Sequence, residues 1–100
     1  MDERKEEIEQ KYEFHYDGGH GWLKVPQKEL ETLKIEDRIS NYSFMLDEFV
    51  YLEEDCDLAI FMEAKFGKDR RDWGKHITEI CDGSESSIRS YPLYRCKQKV

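Results

Sequence analysis

Residues 47 to 63 contain no lysine or arginine, although the whole chain has 16 basic and 23 acidic residues. Seven carboxylates lie in this segment among large apolar side chains: Asp47, Glu48, Glu53, Glu54, Asp55, Asp57 and Glu63. Because the apolar side chains require a core, the segment is predicted to fold, and its carboxylates should then form a fixed negative surface instead of a solvated tail. Such a surface favours a basic partner.

Long hydrophobic runs are also missing. No apolar stretch approaches about eighteen residues, and the first ten positions are mostly charged where a secretory signal would be apolar. We therefore expect a cytoplasmic protein. The net charge of -7 opposes direct binding to nucleic acid and to anionic membranes.

Cysteine is scarce and unpatterned. Cys56, Cys81 and Cys96 are odd in number and show no C-x-x-C spacing, which argues against a disulfide framework and a structural zinc site. Reduced thiols are expected, with Cys81 buried in a strand. No cofactor is predicted.

The length of 100 residues is sufficient for one hydrophobic core. We divide the chain into a polar N-terminal arm or helix over residues 1–11, a single domain over 12–96 and a basic tail over 97–100. The predicted fold class is α+β, an antiparallel sheet of two hairpins plus C-terminal strands, packed against one main helix and a short helix.

The clearest structural pattern is a hairpin over residues 12–25. Two alternating runs flank Gly18-Gly19, a dipeptide that tolerates the positive φ of a tight turn. Pairing across this loop places Phe14 opposite Leu23 on an apolar face, and His15 opposite Trp22 on a polar one.

Weaker patterns predict the remaining elements. Asp55 or Asp57 is expected to cap the main helix, whose core side chains begin at Leu58 and which Gly67 ends. The predicted segments are a helix over 27–34 opened by Pro26, paired strands over 41–45 and 49–52, a basic connection over 68–75, and strands over 76–81 and 88–94.

A cluster around the hairpin turn offers the alternative of a metal-dependent enzyme. His15, Asp17 and His20 are metal-ligating residue types, but a closed site requires a fourth ligand such as Cys56. The structural interpretation is an Asp17 to His20 pair and a His15 to Trp22 stack.

Other candidate chemistries have weaker patterns. No spacing selects a nucleophile among the three cysteines beside His76, and no helix follows the glycines at 18, 19 and 21 to hold a phosphate. The basic segment 68–75 contains Trp73, which would suit base stacking, but two aspartates dilute its charge.

Three pieces of the sequence carry a resemblance: GHGWL at 19–23 followed by Val25-Pro26, then residues 39–43, then YLEEDCD at 51–57. Over about residues 12 to 62 the chain resembles a family of small phage and mobile-element proteins. The resemblance brings no catalytic residues. It implies an inhibitor of the anti-CRISPR kind, one that occupies the basic nucleic-acid channel of a host defence complex.

We therefore predict a non-enzymatic acidic module that binds a basic protein surface, either by DNA mimicry or by occlusion. The predicted partner-binding carboxylates are Asp47, Glu48, Glu53, Glu54, Asp55 and Asp57, with Trp22, His15 or Tyr51 as aromatic anchor. The alternatives are the metal-dependent enzyme described above and a homo-oligomeric accessory protein, for example a homodimer formed through edge strands.

Overall fold

The structure is a computed structural model that describes residues 11–96. The predicted arm over 1–11, apart from Lys11, and the predicted tail over 97–100 lie outside the described residues. Within the described part of the chain, no helix is long and apolar enough to cross a membrane.

Five strands form one sheet in the order β3-β4-β2-β1-β5. The strands are β1 (Tyr12–Tyr16), β2 (Gly21–Pro26), β3 (Phe44–Leu46), β4 (Phe49–Glu53) and β5 (Ile77–Cys81). Two α-helices, α1 (Gln27–Thr32) and α2 (Leu58–Phe66), accompany the sheet. The predicted α+β class is therefore confirmed, and the sheet is mostly antiparallel.

The pairing of β5 differs from the predicted antiparallel arrangement. β5 runs parallel to β1, with Tyr12 opposite Ile77 and Tyr16 opposite Cys81. Parallel pairing is possible here because the chain crosses from one end of the sheet to the other through α2 and a 3-10 helix at Arg70–His76. β1, β4 and β5 consequently run in the same direction.

The first hairpin has the predicted register, with Phe14 opposite Leu23 and His15 opposite Trp22. Its turn is made differently. Neither Gly18 nor Gly19 has a positive φ; instead the carboxylate of Asp17 accepts the backbone N–H groups of Gly19 and His20, both at 3.0 Å. The turn is therefore stabilised by an aspartate side chain.

The main core lies on one face of the sheet. Leu23 and Val25 of β2 and Leu52 of β4 are fully buried there, against Phe61 and Met62 of α2. Phe61 and Met62 lie within the predicted inward row of this helix, and Gly67 ends the helix as expected. α2 also contacts Tyr12, whose ring packs edge-on against Phe61 at 5.2 Å.

The opposite face of the sheet is also covered, which the sequence pattern did not predict. Trp22 and Tyr51 form a second, smaller core there with Ile88. Residues 88–94, predicted as a strand, instead contain part of a 3-10 helix at Ser87–Ser90 and a single bridge between Leu93 and Phe44. The segment covers this face of the sheet at Ile88, and further on Pro92 and Tyr94 hydrogen-bond to Met45 and Ser43, so that Leu93 pairs with the outer strand β3.

The second hairpin forms between β3 and β4, but its first strand is Phe44–Leu46 instead of the predicted 41–45, because residues 41–43 form a turn. Phe44 pairs with Tyr51 and Leu46 with Phe49. Asp47 provides the turn with a left-handed φ of 58°, so an aspartate takes the position that glycine often occupies.

Candidate functional site

Acidic residues from three strands gather at one edge of the sheet. Because β1, β4 and β5 run in the same direction, their carboxyl ends meet there, and each strand ends in or is followed by an acid. Glu54 and Asp55 follow β4, while Glu79 lies within β5 and lines the same surface depression as Glu54. These three carboxylates are exposed and have no ion-pair partner among residues 11–96, and we call them the acidic edge.

Asp17, at the end of β1, is used inside the protein. Arg89 donates to both of its carboxylate oxygens, at 2.7 and 2.9 Å, and the backbone N–H of Ser86 donates at 2.7 Å. The Arg89 bonds, together with those from backbone N–H groups, hold the pKa of Asp17 far below its usual range. This ion pair fastens the C-terminal segment to the hairpin turn.

His15 takes part in a second group of polar contacts on the same face of the sheet. Its Nδ1 lies 3.0 Å from Asp82 and its Nε2 lies 2.9 Å from Glu13. Asp82 also accepts from the Ser86 hydroxyl at 2.7 Å. Burial works to raise the pKa of Asp82, but the bonds from His15 and Ser86 outweigh it and leave the value lowered. His15 is thus engaged with carboxylates and does not stack on Trp22 as predicted.

Glu53 shapes the loop between β4 and α2. Its Oε1 accepts the backbone N–H groups of Asp55 and Cys56, both at 2.9 Å, and its Oε2 lies 3.7 Å from Nδ1 of His20. Only 8% of the residue is exposed. His20 therefore faces Glu53, and the predicted Asp17 to His20 side-chain pair is not formed.

Asp57 is buried and serves the fold. It occupies the predicted N-cap position of α2, but its side chain makes no capping bond. Its carboxylate instead accepts from the backbone N–H and hydroxyl of Ser40 and from the hydroxyl of Ser43. A carboxylate with these partners and 1% exposure is not available to another protein.

The predicted continuous acidic surface is therefore divided. Asp47 and Glu48 are exposed in the β3 to β4 turn, whereas Glu54 and Asp55 follow the other end of β4. Five strand residues separate the two pairs by about 17 Å at the usual rise per residue. Since Glu53 and Asp57 point into internal bonds, the seven acids do not form one row.

The predicted aromatic anchors are also placed differently. Trp22 is 2% exposed and Tyr51 is 7% exposed, both inside the second core. The most exposed aromatic side chain among residues 11–96 is Tyr42, at 67%. The sequence pattern placed Tyr42 in the predicted strand over 41–45, whereas it lies in the turn before β3.

A cavity of about 450 Å³ opens beside the acidic edge. Trp22, Tyr42 and Phe44 supply aromatic walls, while Glu53, Asp55 and Arg89 supply charge. We call this the aromatic cavity. Its volume is within the range of small-ligand pockets, and its composition of apolar walls with a few polar groups is typical of them.

The geometry gives little support to a metal site or to a cysteine nucleophile. Within residues 11–96, no three or more His, Cys, Asp or Glu side chains are placed to hold a metal ion. Cys56 and Cys81 are both exposed, so the expectation of a buried Cys81 is wrong. Desolvation of the Cys56 thiol and its hydrogen bond to Glu53 raise the pKa of Cys56. A smaller fraction of this cysteine is therefore the reactive thiolate.

The basic segment offers no stacking platform. Trp73 is 7% exposed, and its indole N–H donates to the Gly67 carbonyl at 3.0 Å. Arg70 lies over the Trp73 ring, and Arg71 forms a bidentate pair with Asp69. These side chains are occupied with their own neighbours.

Fold and site together define an α+β protein with an acidic edge and an adjoining aromatic cavity. No family model matches the chain, and comparison with curated proteins and with solved structures finds no similar protein. The resemblance over residues 12 to 62 stays a prediction.

Proposed function

We propose that this protein is a non-enzymatic binding module whose acidic edge docks on a basic protein surface. The observation that carries the proposal is that Glu54 and Asp55, in the turn after β4, and Glu79, on β5, are all exposed and have no internal cationic partner among residues 11–96. The nearby basic side chains of Arg89 and His15 already face Asp17 and Asp82. The edge is therefore free to attract cations from outside.

The rigidity of the edge supports the same function. Glu54 donates its backbone N–H to the Gly21 carbonyl at 3.0 Å, and Glu79 lies on a strand paired with β1. Charges carried by hydrogen-bonded backbone require little ordering when a partner arrives, so less conformational entropy is lost on binding. Electrostatic steering by such a patch accelerates encounter with a positive groove.

Occlusion is the mode that this arrangement favours. The acids of residues 47–63 are divided between the two ends of β4 and include the buried Asp57, so they do not repeat along a line as phosphates do. A compact negative patch beside an exposed aromatic side chain is better suited to covering a basic surface than to replacing a duplex.

The sequence resemblance suggests the class of partner. Proteins encoded by phages and mobile elements that inhibit host defence act on nucleic-acid-targeting complexes, whose nucleic-acid channels are basic. We therefore propose that the partner is such a complex, and that bound nucleic acid and this protein compete for the same surface.

Purified nucleic-acid-targeting defence complexes, each with its channel empty, provide the test. Immobilised wild-type protein should bind at least one of them, and the triple variant Glu54→Lys, Asp55→Lys, Glu79→Lys should bind it at least about tenfold more weakly, since three attractive charges become repulsive. Raising the salt concentration should weaken wild-type binding through screening. Preloading the channel with DNA or RNA should block it.

A matched control distinguishes the effect of the acidic edge from the effect of net charge. Glu31, Asp37 and Asp72 are also exposed, and changing all three to lysine alters the net charge by the same amount. This control should bind like wild type. The proposal fails if both triple variants bind equally well, or if no complex in the panel binds.

A further inference from the structure

The aromatic cavity has a feature that its internal contacts do not explain. The indole Nε1 of Trp22 is buried and has no hydrogen-bond acceptor among residues 11–96. Trp22 itself forms part of the cavity wall. Buried donors in proteins are nearly always paired with a protein group or with water, so this donor is available to an acceptor that enters the cavity.

The walls of the cavity already hold one guanidinium. The guanidinium carbon of Arg89 lies 5.5 Å from the centre of the Trp22 ring. Its charge is balanced by the bidentate pair with Asp17. The face of Tyr42 and the ring of Phe44, which packs edge-on to Trp22 at 6.2 Å, hold no cation among the described residues.

The remaining charge in the cavity is negative. Asp55 is exposed at its mouth, and Glu53 lines it, with only His20 close to the second oxygen of Glu53. Aromatic walls with a carboxylate at the mouth favour a cation that has a flat apolar surface. A guanidinium stacks on aromatic rings and bonds carboxylates in a fork, whereas an ammonium is a compact, strongly hydrated charge.

We propose that the aromatic cavity receives an arginine side chain from the basic partner, stacked against Tyr42 and Phe44 and bonded to Asp55. A carbonyl oxygen of the same peptide segment accepts from the Trp22 indole after a small inward shift. This inference rests on the proposed function, because it names the group by which a basic partner is recognised.

The probe for the test is N-acetyl-L-arginine methylamide, which carries the guanidinium and two carbonyl groups. Titration into ¹⁵N-labelled full-length protein should shift the Trp22 indole resonance. The Trp73 indole is an internal reference, because it is already bonded to Gly67. The citrulline analogue has the same shape without the charge, and we expect it to bind at least roughly tenfold more weakly.

Tyr42→Ala tests the aromatic wall. Tyr42 is 67% exposed, so its removal should leave the fold intact, and it should weaken the arginine probe about five- to tenfold. Tyr16→Ala is the matched control, since Tyr16 is a partly exposed tyrosine outside the cavity. Equal binding of the citrulline probe, or unchanged affinity in Tyr42→Ala, overturns the inference.

The two proposals fail in different ways. Probe binding uses the isolated protein and does not depend on any partner. If a defence complex loses affinity for the acidic-edge variant but binds Tyr42→Ala as tightly as wild type, the arginine cavity is excluded and the docking edge stands. If the probe binds as expected and no complex binds, the cavity stands and the proposed function fails.

Discussion

Individual acids in this protein have opposite roles that their residue type does not reveal. Asp57 accepts from Ser40 and Ser43, which lie 17 and 14 residues earlier in the chain, whereas Asp55, two positions away, is exposed. The capping rule correctly indicated where Asp57 stands relative to α2. It could not identify the serines, because their approach depends on how the loop before β3 folds over the helix.

Asp17 leads to a prediction at the residue scale. Its pKa is lowered from 3.8, mainly by the Arg89 bonds, so the folded protein binds a proton there less readily than the unfolded chain. The ionised carboxylate therefore stabilises the fold at pH values above its usual pKa, and this contribution is lost progressively as the pH falls below that value. Asp17→Asn should be less stable than wild type at pH 7, with a difference that shrinks between about pH 5 and pH 2.

Urea unfolding at a series of pH values measures this difference. Asp55→Asn, at an exposed acid near the same edge, is the control and should stay within about 0.5 kcal/mol of wild type. A gap between wild type and Asp17→Asn that is independent of pH would mean that the Arg89 pair does not respond to protonation as proposed.

At the scale of elements, a strand is easier to predict when its pairing partner is close to it in the sequence. The first hairpin was predicted with its register because alternation and a two-glycine loop agree over a short stretch of chain. The parallel partner of β5 is more than sixty residues away, and no local pattern specifies it. Residues 88–94 alternate like a strand, yet only Leu93 bridges to β3, while Ile88 and Tyr94 are buried in the two separate cores.

Gly21, the first residue of β2, gives a prediction at this scale. A Cβ at this position would overlap the ring of Phe14 and lie 2.9 Å from Oε1 of Glu54. Gly21→Ala should therefore destabilise the protein by about 1–3 kcal/mol, because the Phe14 ring on the paired strand and the Glu54 carboxylate must both shift. Gly74→Ala, where nothing lies within 4 Å of the added carbon, is the matched control.

Thermal and urea unfolding of the two variants provide the measurement. We expect Gly74→Ala to remain within about 1 kcal/mol of wild type. Equal stability of both alanine variants would show that Phe14 turns away at little cost and that the contact between hairpin and edge is loose.

At the scale of the whole molecule, the important quantity is where the net charge of -7 is concentrated. Arg89 and Arg71 neutralise Asp17 and Asp69, His15 is hydrogen-bonded to Asp82, and Lys24 lies over the Phe49 ring. Composition alone predicted an acidic protein. The convergence of Glu54, Asp55 and Glu79 required the shared direction of β4 and β5, which depends on long-range topology.

Anion-exchange chromatography tests this concentration of charge without any partner. The edge triple variant and the Glu31→Lys, Asp37→Lys, Asp72→Lys control have the same net charge, but only the first removes the exposed cluster. A resin binds a protein through its densest patch of opposite charge, so the edge variant should elute at a lower salt concentration than the control. Circular dichroism of both variants confirms that each is folded before comparison. Coincident elution would mean that the exposed acids are spread evenly over the surface, and a docking edge built from three of them would then have no electrostatic advantage over the rest of the molecule.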